Sequence, residues 1–525
     1  MNTPVNILMV AAENDALPGG KIGGIGDVVR DVPPALAERG CEVIVITPAY
    51  GFLAALPGAR RLAVLEVGFS GMSQHVDLYE VPARYPHSGV RHIVADHPLF
   101  SACGSGSIYC DDPPDAPFAT DATKFALFCA AVAEATVQGV FGEPDVLHLH
   151  DWHAALLLML RRFHPAFRRL QEIRSVYTIH NLALQGVRPF TGHPSSLVSW
   201  YPGLAYDAGL LGDPRWPNCV NPMAVGIRLA DAVHAVSPTY AEEIIHASAV
   251  ATRGYYGGEG LEADLQAARD EGRLFGILNG CEYPTERPAP APDWAELLGL
   301  LRTQVLRWAG TEGVLPAAHF IAHAHLNKWT DRRPGVILTS VSRITDQKMR
   351  LLRQADQNGR PALEGILDVL GERGVYLLLG SGDPDDEAFL TATSARFANF
   401  IFLRGYSDVV AEALYALGDL FLMPSSFEPC GISQMLAMRA GQPCLVHHVG
   451  GLKDTVQDGV NGFAFTGTSL TDQAQRLVET CRAALELREQ QPARWAEIGQ
   501  AAAAARFLWA DSVAAYIDKL YRVGR

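Results

Sequence analysis

The chain has 525 residues, too many for one hydrophobic core, so two or three domains are expected. Hydrophobic content of 48% and charged content of 19% fit a compact globular protein with large cores. The net charge of −14 argues against non-specific nucleic-acid binding and against attraction to an anionic membrane surface, while local Lys and Arg can still hold an anionic substrate.

The chain opens on MNTPVNILMVAAEND, which has no basic n-region and only a strand-length apolar run, so no signal peptide is expected. No run approaches about 20 apolar residues, the length of a membrane span. The nine cysteines are scattered, odd in number and without a CxxC, which reads as free thiols in a reducing compartment. The expected location is the cytoplasm. Strand-like runs follow in order: NILMVA, EVIVITP, LAVLEV, HVDLYEV, RHIVAD, DVLHLHD, RSVYTIHN and DAVHAVSP in the first half. In the second half come GVILTSVS, GVYLLLGSG, FIFLRGY, DLFLMPS and PCLVHHVG. Helical stretches such as ATKFALFCAAVAEATVQ, AEALYAL and SLTDQAQRLVETCRAALELREQ lie between many of them. That alternation predicts parallel sheets covered by helices, with ligands beyond the C-terminal strand ends. Residues 281–292 (CEYPTERPAPAP) are rich in proline and mark an interdomain connection or an entry loop of the second domain. FLWADSVAAYIDKLYRVG forms a detached amphipathic helix at the end.

Six segments carry candidate chemistry. In KIGGIGDVV, Lys21, Gly23 and Gly24 stand just before a helix, where exposed backbone N–H groups suit an anion. The plainer reading is a tight turn with a solvated lysine. HLHDWH ends a strand with three histidines, but no Cys or Glu completes a zinc set nearby, so hydroxyl contacts by Asp151 are preferred to metal. TIHNLALQG ends another strand with His180 and Asn181; a lone strand-end histidine is often structural, but two polar strand ends on one sheet edge favour a site. SVSRITDQK places Arg343 and Lys348 five residues apart near a strand end, either as surface cations or as ligands of a diphosphate. DLFLMPSSFEPCGISQM puts Glu428 on a turn between strand and helix, suited to sugar hydroxyls or an oxocarbenium-like centre. HHVGGLKDTV follows, with Gly450 and Gly451 opening another helix. No GxSxG elbow or Ser–His–Asp order supports a hydrolase.

Taken together, KIGGIGDVV, HLHDWH, TIHNLALQG, AVSPTYAEEI, GILNG, VSRITDQK, LLLGSGDP, SSFEPCGISQ and GGLKDTV resemble, in order, the bacterial glycogen synthase and plant starch synthase family (glycosyltransferase family 5). The resemblance implies an α/β GT-B fold. Two Rossmann-like domains face across a deep cleft, and a C-terminal helix crosses back to the N-domain. The expected bounds are 1–262, 263–504 and 505–525. It further implies that Lys21, Gly23 and Gly24 approach the donor from the N-domain, with Asp151, His180 and Asn181 near the sugar. Arg343 and Lys348 would hold the diphosphate, Glu428 would face the transferred glucose beside Cys430 and Gly431, Gly450 and Gly451 would lend N–H groups, and Tyr406 would stack on the base. The implied reaction is elongation of α-1,4-glucan from ADP-glucose with retention, without metal or cofactor, the partners being a nucleotide sugar and an α-glucan, not nucleic acid or membrane.

The chain departs from the family pattern at five places. Met349 stands where Gly is usual, Val449 where Thr is usual, and His447–His448 precede it. NGCE, with Glu282, replaces NG(V/I)D, and LFSACGSGSIYCDD matches the acceptor-side segment poorly. Two alternatives therefore stay open: a related transferase with another donor or a short acceptor, and a silent glucan-binding paralogue.

Overall fold

The computed structural model describes residues 5–283, 292–311, 316–330 and 332–522. The chain forms two compact units. The first takes the chain up to Ser248, Gly257–Gly280 and everything from Leu508 onward; the second takes Ala249–Tyr256 and Cys281–Phe507.

The first unit is built on a nine-stranded sheet. Its strands are β1 (Asn6–Val10), β2 (Glu42–Pro48), β3 (Arg60–Phe69), β4 (Met72–Val81), β5 (Val90–Asp96), β6 (Val146–His150), β7 (Arg174–Ile179), β10 (Ala232–Ala235) and β11 (Leu274–Gly276). The short β8 (Arg188–Pro189) and β9 (Cys219–Val220) pair separately. The order is β11-β10-β7-β6-β1-β2-β5-β4-β3. β11 through β5 run parallel, as the alternation of strands and helices predicts, but β3 and β4 add an antiparallel edge. Alternating burial along β3 shows why: one face is wet, as antiparallel sheets allow. Ser70 and Gly71, both with positive φ, make the two-residue hairpin turn between them.

The second unit holds β12 (Val336–Val341), β13 (Gly374–Gly380), β14 (Phe400–Arg404), β15 (Leu420–Met423), β16 (Cys444–His447) and β17 (Gly462–Phe465), all parallel, in the order β14-β13-β12-β15-β16-β17. β13 is buried along its whole length, which suits a strand covered on both faces. In the parallel part of each sheet the order reverses once, at β1 and at β12, and such a switch point opens a crevice at the C-terminal strand ends.

The boundary expected at 262/263 falls instead at 280/281. Helix Glu262–Asp270 buries Leu265 and Ala268 and feeds β11, which pairs with β10, so this stretch belongs to the first sheet. In the other direction, Tyr256 stacks on Phe427 at 4.1 Å and accepts from Arg350 at 2.9 Å, which ties 249–256 to the second unit. Of the proline-rich stretch 281–292, residues 284–291 lie outside the described residues.

The end of the chain returns to the first unit. Helix Trp509–Ala515 and a π-helical turn, Tyr516–Tyr521, place Trp509, Val513, Tyr516, Leu520 and Tyr521 in one core with Ile7, Met9, Val28 and Val32. Each such buried side chain contributes about 1.5–3 kcal/mol. Ser512 donates to the Leu278 carbonyl and Trp509 Nε1 to Asp31.

The reading of nine free thiols is corrected: Cys103 and Cys110 form a disulfide, with Cα atoms 5.7 Å apart. A loop rich in Gly and Ser turns back on itself and brings them together, a pairing that an odd count and the absence of CxxC do not exclude. The other seven cysteines take part in no disulfide among the described residues, and six of them are buried. Among the described residues no helix is long and apolar enough to cross a membrane.

Candidate active site

In the first unit, three neighbouring strands β1, β6 and β7 deliver candidate groups from their C-terminal ends. After β1 the chain reaches Glu13 and then the glycine turn. α1 (Gly24–Ala37) starts there with Gly23 as its N-cap. The turn does attract an anion, but the anion is the protein's own: Glu13 Oε2 accepts the N–H groups of Ile22 (2.9 Å) and Gly23 (2.5 Å). Tyr109 donates to the other oxygen at 2.7 Å. The Gly23 N–H expected for substrate is therefore committed, while Gly24 is exposed. Lys21 pairs with Asp27 at 2.5 Å and lies 4.0 Å from Asp15. Glu13 was missed by sequence reading, although an acid directly after NILMVAA was its signal.

After β6, Asp151 opens α2 (Asp151–Phe163) with φ +53, in the left-handed region that Asp tolerates better than most residues. Its carboxylate accepts the backbone N–H of His180 at 2.7 Å, clamping the end of β6 to that of β7. Burial pushes this carboxyl up to about 8, opposed by the N–H groups of His180 and Asn181. Asp151 is thus a buried brace, and its Oδ1 holds the strand end on which His180 stands. Asn181 accepts from the Ala183 N–H at 3.0 Å, shaping the turn that follows.

Behind the strand ends lie buried histidines whose hydrogen bonds form an ordered chain. His234 Nε2 is 3.1 Å from the Ile277 carbonyl, which can only accept, so Nε2 carries the proton. Burial lowers the pKa of His234 to about 4 and that of His148 well below its ordinary value, so both rings are neutral at pH 7. His234 Nδ1 then accepts from Thr178 (3.0 Å), Thr178 accepts from His148 Nε2 (2.7 Å), and His148 Nδ1 accepts from Tyr521 (2.8 Å). The direction of every bond follows from one carbonyl. The chain fastens the C-terminal segment to the centre of the sheet. His150 stacks on His148 at 4.5 Å and meets His180 Nε2 through its own Nδ1 at 2.8 Å. Among the described residues no cluster of three or more His, Cys, Asp or Glu is arranged to hold a metal ion.

In the second unit, β12, β15 and β16 are neighbours and deliver the other candidates. Arg343, two residues past β12, is exposed and makes no hydrogen bond or ion pair with any described residue. Lys348, in helix Asp346–Arg353, is ion-paired with Glu428, which also accepts from Ser425 at 2.9 Å. The pair is nearly buried, with side chains 13% and 8% exposed. Gln347, unremarked in the sequence, stitches these loops together: its amide donates to the Phe427 carbonyl and its own carbonyl accepts from Ser426 N–H, both at 2.9 Å. Met349 turns into the core beside Leu351 and Leu352, so the departure from Gly fills apolar space.

Gly450 and Gly451 open the short helix Gly450–Thr455. The expected gift of N–H groups is corrected for Gly451, whose N–H donates to the Glu428 carbonyl at 3.0 Å. Its value is close approach: a Cβ there would sit 2.2 Å from the Cys430 carbonyl oxygen. The FEPCG turn and the GGLKDT helix start are thus packed backbone on backbone, with Cys430 buried and Gly431 at φ +76. Val449 is the N-cap of that helix and supplies no side-chain cap. Tyr406, past β14, is 56% exposed and donates to Asp408 at 2.8 Å.

Comparison with known proteins agrees with this layout. Residues 6–267 match the starch synthase catalytic domain family and 362–501 the glycosyl transferases group 1 family. A glycogen synthase of Streptococcus equi subsp. zooepidemicus is 32% identical over 99% of both chains. One from Gloeobacter violaceus is 35% identical over 88% of this chain and 87% of its own. Among solved structures, the catalytic domain of starch synthase IV from Arabidopsis thaliana bound to ADP and acarbose superposes with a TM-score of 0.75, at 25% identity and 99% coverage of both chains. Sucrose-phosphate synthase from Thermosynechococcus elongatus, with a TM-score of 0.54 and 17% identity, shares the fold over 99% of this chain and 98% of its own. Two Rossmann-like units, these strand-end groups and full-length similarity at this level lead to one conclusion: the chain belongs to the bacterial glycogen synthase and starch synthase family, and it is a glycosyltransferase of the GT-B fold.

Proposed function

We propose that this enzyme elongates α-1,4-glucan from ADP-glucose with retention of the anomeric configuration. The observation that carries the reading is Arg343, an exposed cation without a partner among the described residues, on the same loop and helix start as Lys348. An unpaired guanidinium a few residues before a second cation suits a diphosphate whose charge grows as it leaves. The starch synthase IV structure is described as bound to ADP and acarbose, which supports an adenine nucleotide and a glucan-like acceptor here. Tyr406, half-exposed past β14, is the aromatic residue assigned to the base in this reading.

In the proposed step the acceptor hydroxyl bonds to the anomeric carbon on the face that the diphosphate leaves. The bond between that carbon and the diphosphate oxygen breaks, and the departing phosphate takes the acceptor's proton. Arg343 meets the diphosphate first, because Lys348 is already engaged by Glu428. Lys348 then shares its charge between the carboxylate and the leaving group. Glu428 stabilises positive charge at the anomeric centre and holds Lys348 in place; no covalent intermediate is assigned to it. Lys21 and Gly24 approach the donor, and His180 meets the transferred sugar from a strand end held by Asp151. With two side-chain cations facing the diphosphate, transfer needs neither metal nor cofactor in this reading, and EDTA should leave turnover unchanged.

Nucleotide release from ADP-, UDP- and GDP-glucose, with and without glycogen, tests the proposal. The expected result is glycogen-dependent release that is fastest from ADP-glucose. A higher kcat/KM for UDP-glucose would move the chain to another donor, a reading favoured by one observation, the missing hydroxyl at Val449. Glycogen binding without release from any donor would mark a silent paralogue.

A further inference from the structure

We propose that His150 is a positioning residue that fixes His180 as its Nδ1–H tautomer, so that the His180 ring turns an N–H donor, and not a lone pair, toward the sugar. The clause about the sugar rests on the function proposed above; the tautomer itself does not.

The argument starts from the contact between the two rings. His150 Nδ1 and His180 Nε2 are 2.8 Å apart, so one of them donates. Both rings are kept neutral at pH 7, their pKa values lowered well below the ordinary value by burial and by neighbouring histidines. Each neutral ring has one N–H and one lone pair. Two arrangements are therefore open, and they differ in what they leave at the far side of His150. His150 is 1% exposed, and its Nε2 is buried with no hydrogen-bond partner. If His180 donated, the proton of His150 would sit on this Nε2, and an N–H would be buried without an acceptor. If His150 donates, Nε2 carries only a lone pair. An orphaned buried N–H is the rarer and costlier of the two. The structure thus favours His150 Nδ1–H as donor to His180 Nε2. The proton of His180 must then be on Nδ1, which makes no hydrogen bond with a described residue and belongs to a half-buried ring.

The surroundings hold this arrangement. His150 stacks on His148, whose own tautomer is set by the chain running from Tyr521 to the Ile277 carbonyl. The His180 backbone is clamped by Asp151. One ring nitrogen of a histidine decides what the other can do. Here the deciding partner is a second histidine from the adjacent strand, and the chemistry offered to substrate is a donor suited to a sugar hydroxyl oxygen.

The test uses the full chain labelled with 15N-histidine. Ring-nitrogen shifts and couplings report the tautomer of His180, assigned by the signal lost in His180→Asn. The wild type should show Nδ1–H. His150→Phe keeps an aromatic ring but no donor, and His180 should revert toward the Nε2–H form, with kcat lower by roughly three- to tenfold and the donor KM little changed. His150→Asn places an amide N–H at the distance of Nδ1 from the backbone and should restore both the tautomer and most of kcat. An Nε2–H signal in the wild type, or an unchanged tautomer in His150→Phe, overturns the assignment. A switched tautomer with unchanged kcat leaves the ring assignment standing and overturns the contact between His180 and the sugar.

Discussion

The two units hold their candidate groups by opposite means. In the second, charge balances charge: Lys348 and Glu428 form a nearly buried ion pair, and Arg343, five residues before Lys348, is exposed. In the first, the strand ends are braced by groups held neutral. The histidines 148, 150, 180 and 234 are kept uncharged by burial, and Asp151 is raised to about 8. An ion pair gives strong, local electrostatics and is costly to break from one side. A network of neutral rings gives direction, because every proton position is set by its neighbour. The first arrangement suits meeting a growing negative charge, and the second suits aiming a few polar atoms at an uncharged sugar.

The sharpest way to break this comparison lies in the second unit. Arg343→Ala and Lys348→Ala should each lower turnover by roughly 10²–10³, the usual cost of removing one group that stabilises the transition state. They should differ in stability. Arg343→Ala removes an exposed cation with no partner among the described residues, and thermal unfolding should be unchanged. Lys348→Ala strands Glu428 in a buried site, at a cost of about 3–5 kcal/mol. Equal melting temperatures for the two variants would show that the ion pair carries no weight in the fold. Glu428→Gln should lower kcat more than it raises donor KM, the pattern of a contact made mainly in the transition state.

Acid should separate the units next. The folded first unit keeps His148, His150 and His180 neutral with pKa values well below the ordinary 6.5, His234 near 4 and His153 near 3. Unfolded, each ring takes up a proton near 6.5. Their contribution is therefore present above about pH 6.5 and falls as pH drops toward these folded values, by about 1.4 kcal/mol per pH unit for each ring. Asp151 acts in the opposite sense, its contribution fading as pH rises toward 8. In the second unit the rings with lowered values are fewer: His447 near 4, with smaller shifts at His325 and His448. Hydrogen exchange at pH 5 should show β6, β7 and β10 losing protection before β12, β13 and β15. Loss in the reverse order would contradict the contrast.

Tyr521→Phe sharpens the same contrast on a smaller scale. It removes the donor at one end of the histidine chain and leaves the buried His148 Nδ1 without a partner, at a cost of about 1–3 kcal/mol. Urea denaturation of the variant should show that loss with the m-value unchanged. The smallest effect is expected at Val449→Thr, which adds an N-cap hydroxyl to helix Gly450–Thr455, a stabilisation of about 0.5–2 kcal/mol. It should also lower KM for ADP-glucose modestly; a KM that rises would show the added hydroxyl to be in the donor's way.

Much of the candidate site was legible in the sequence because its residues sit at strand ends. A buried strand announces itself by an apolar run, and a polar group directly after it is conspicuous, as with Asp151, His180, Arg343 and Glu428. The antiparallel β3–β4 edge was equally visible in its alternation, yet was read as part of a parallel sheet. Partners distant in the chain left no such mark. Glu13 follows an apolar run and carried that mark, but nothing in the sequence showed that the Ile22 and Gly23 N–H groups point at it. Gly451 looked like an anion site but serves close packing against Cys430.

The sequence by itself determined the two α/β units, the family, the strand-end groups and a separate amphipathic helix, since each rests on periodicity or on short motifs; the return of that helix to the first unit was implied by the family resemblance. Only the tertiary structure decided the boundary at 280/281, the Cys103–Cys110 bond, the Lys348–Glu428 pair and the direction of the histidine chain. The reason is physical. Local pattern reports which face of an element is apolar, whereas a hydrogen bond or ion pair depends on two groups that folding alone brings within 3 Å, and on a proton whose place is fixed by whatever lies beyond them.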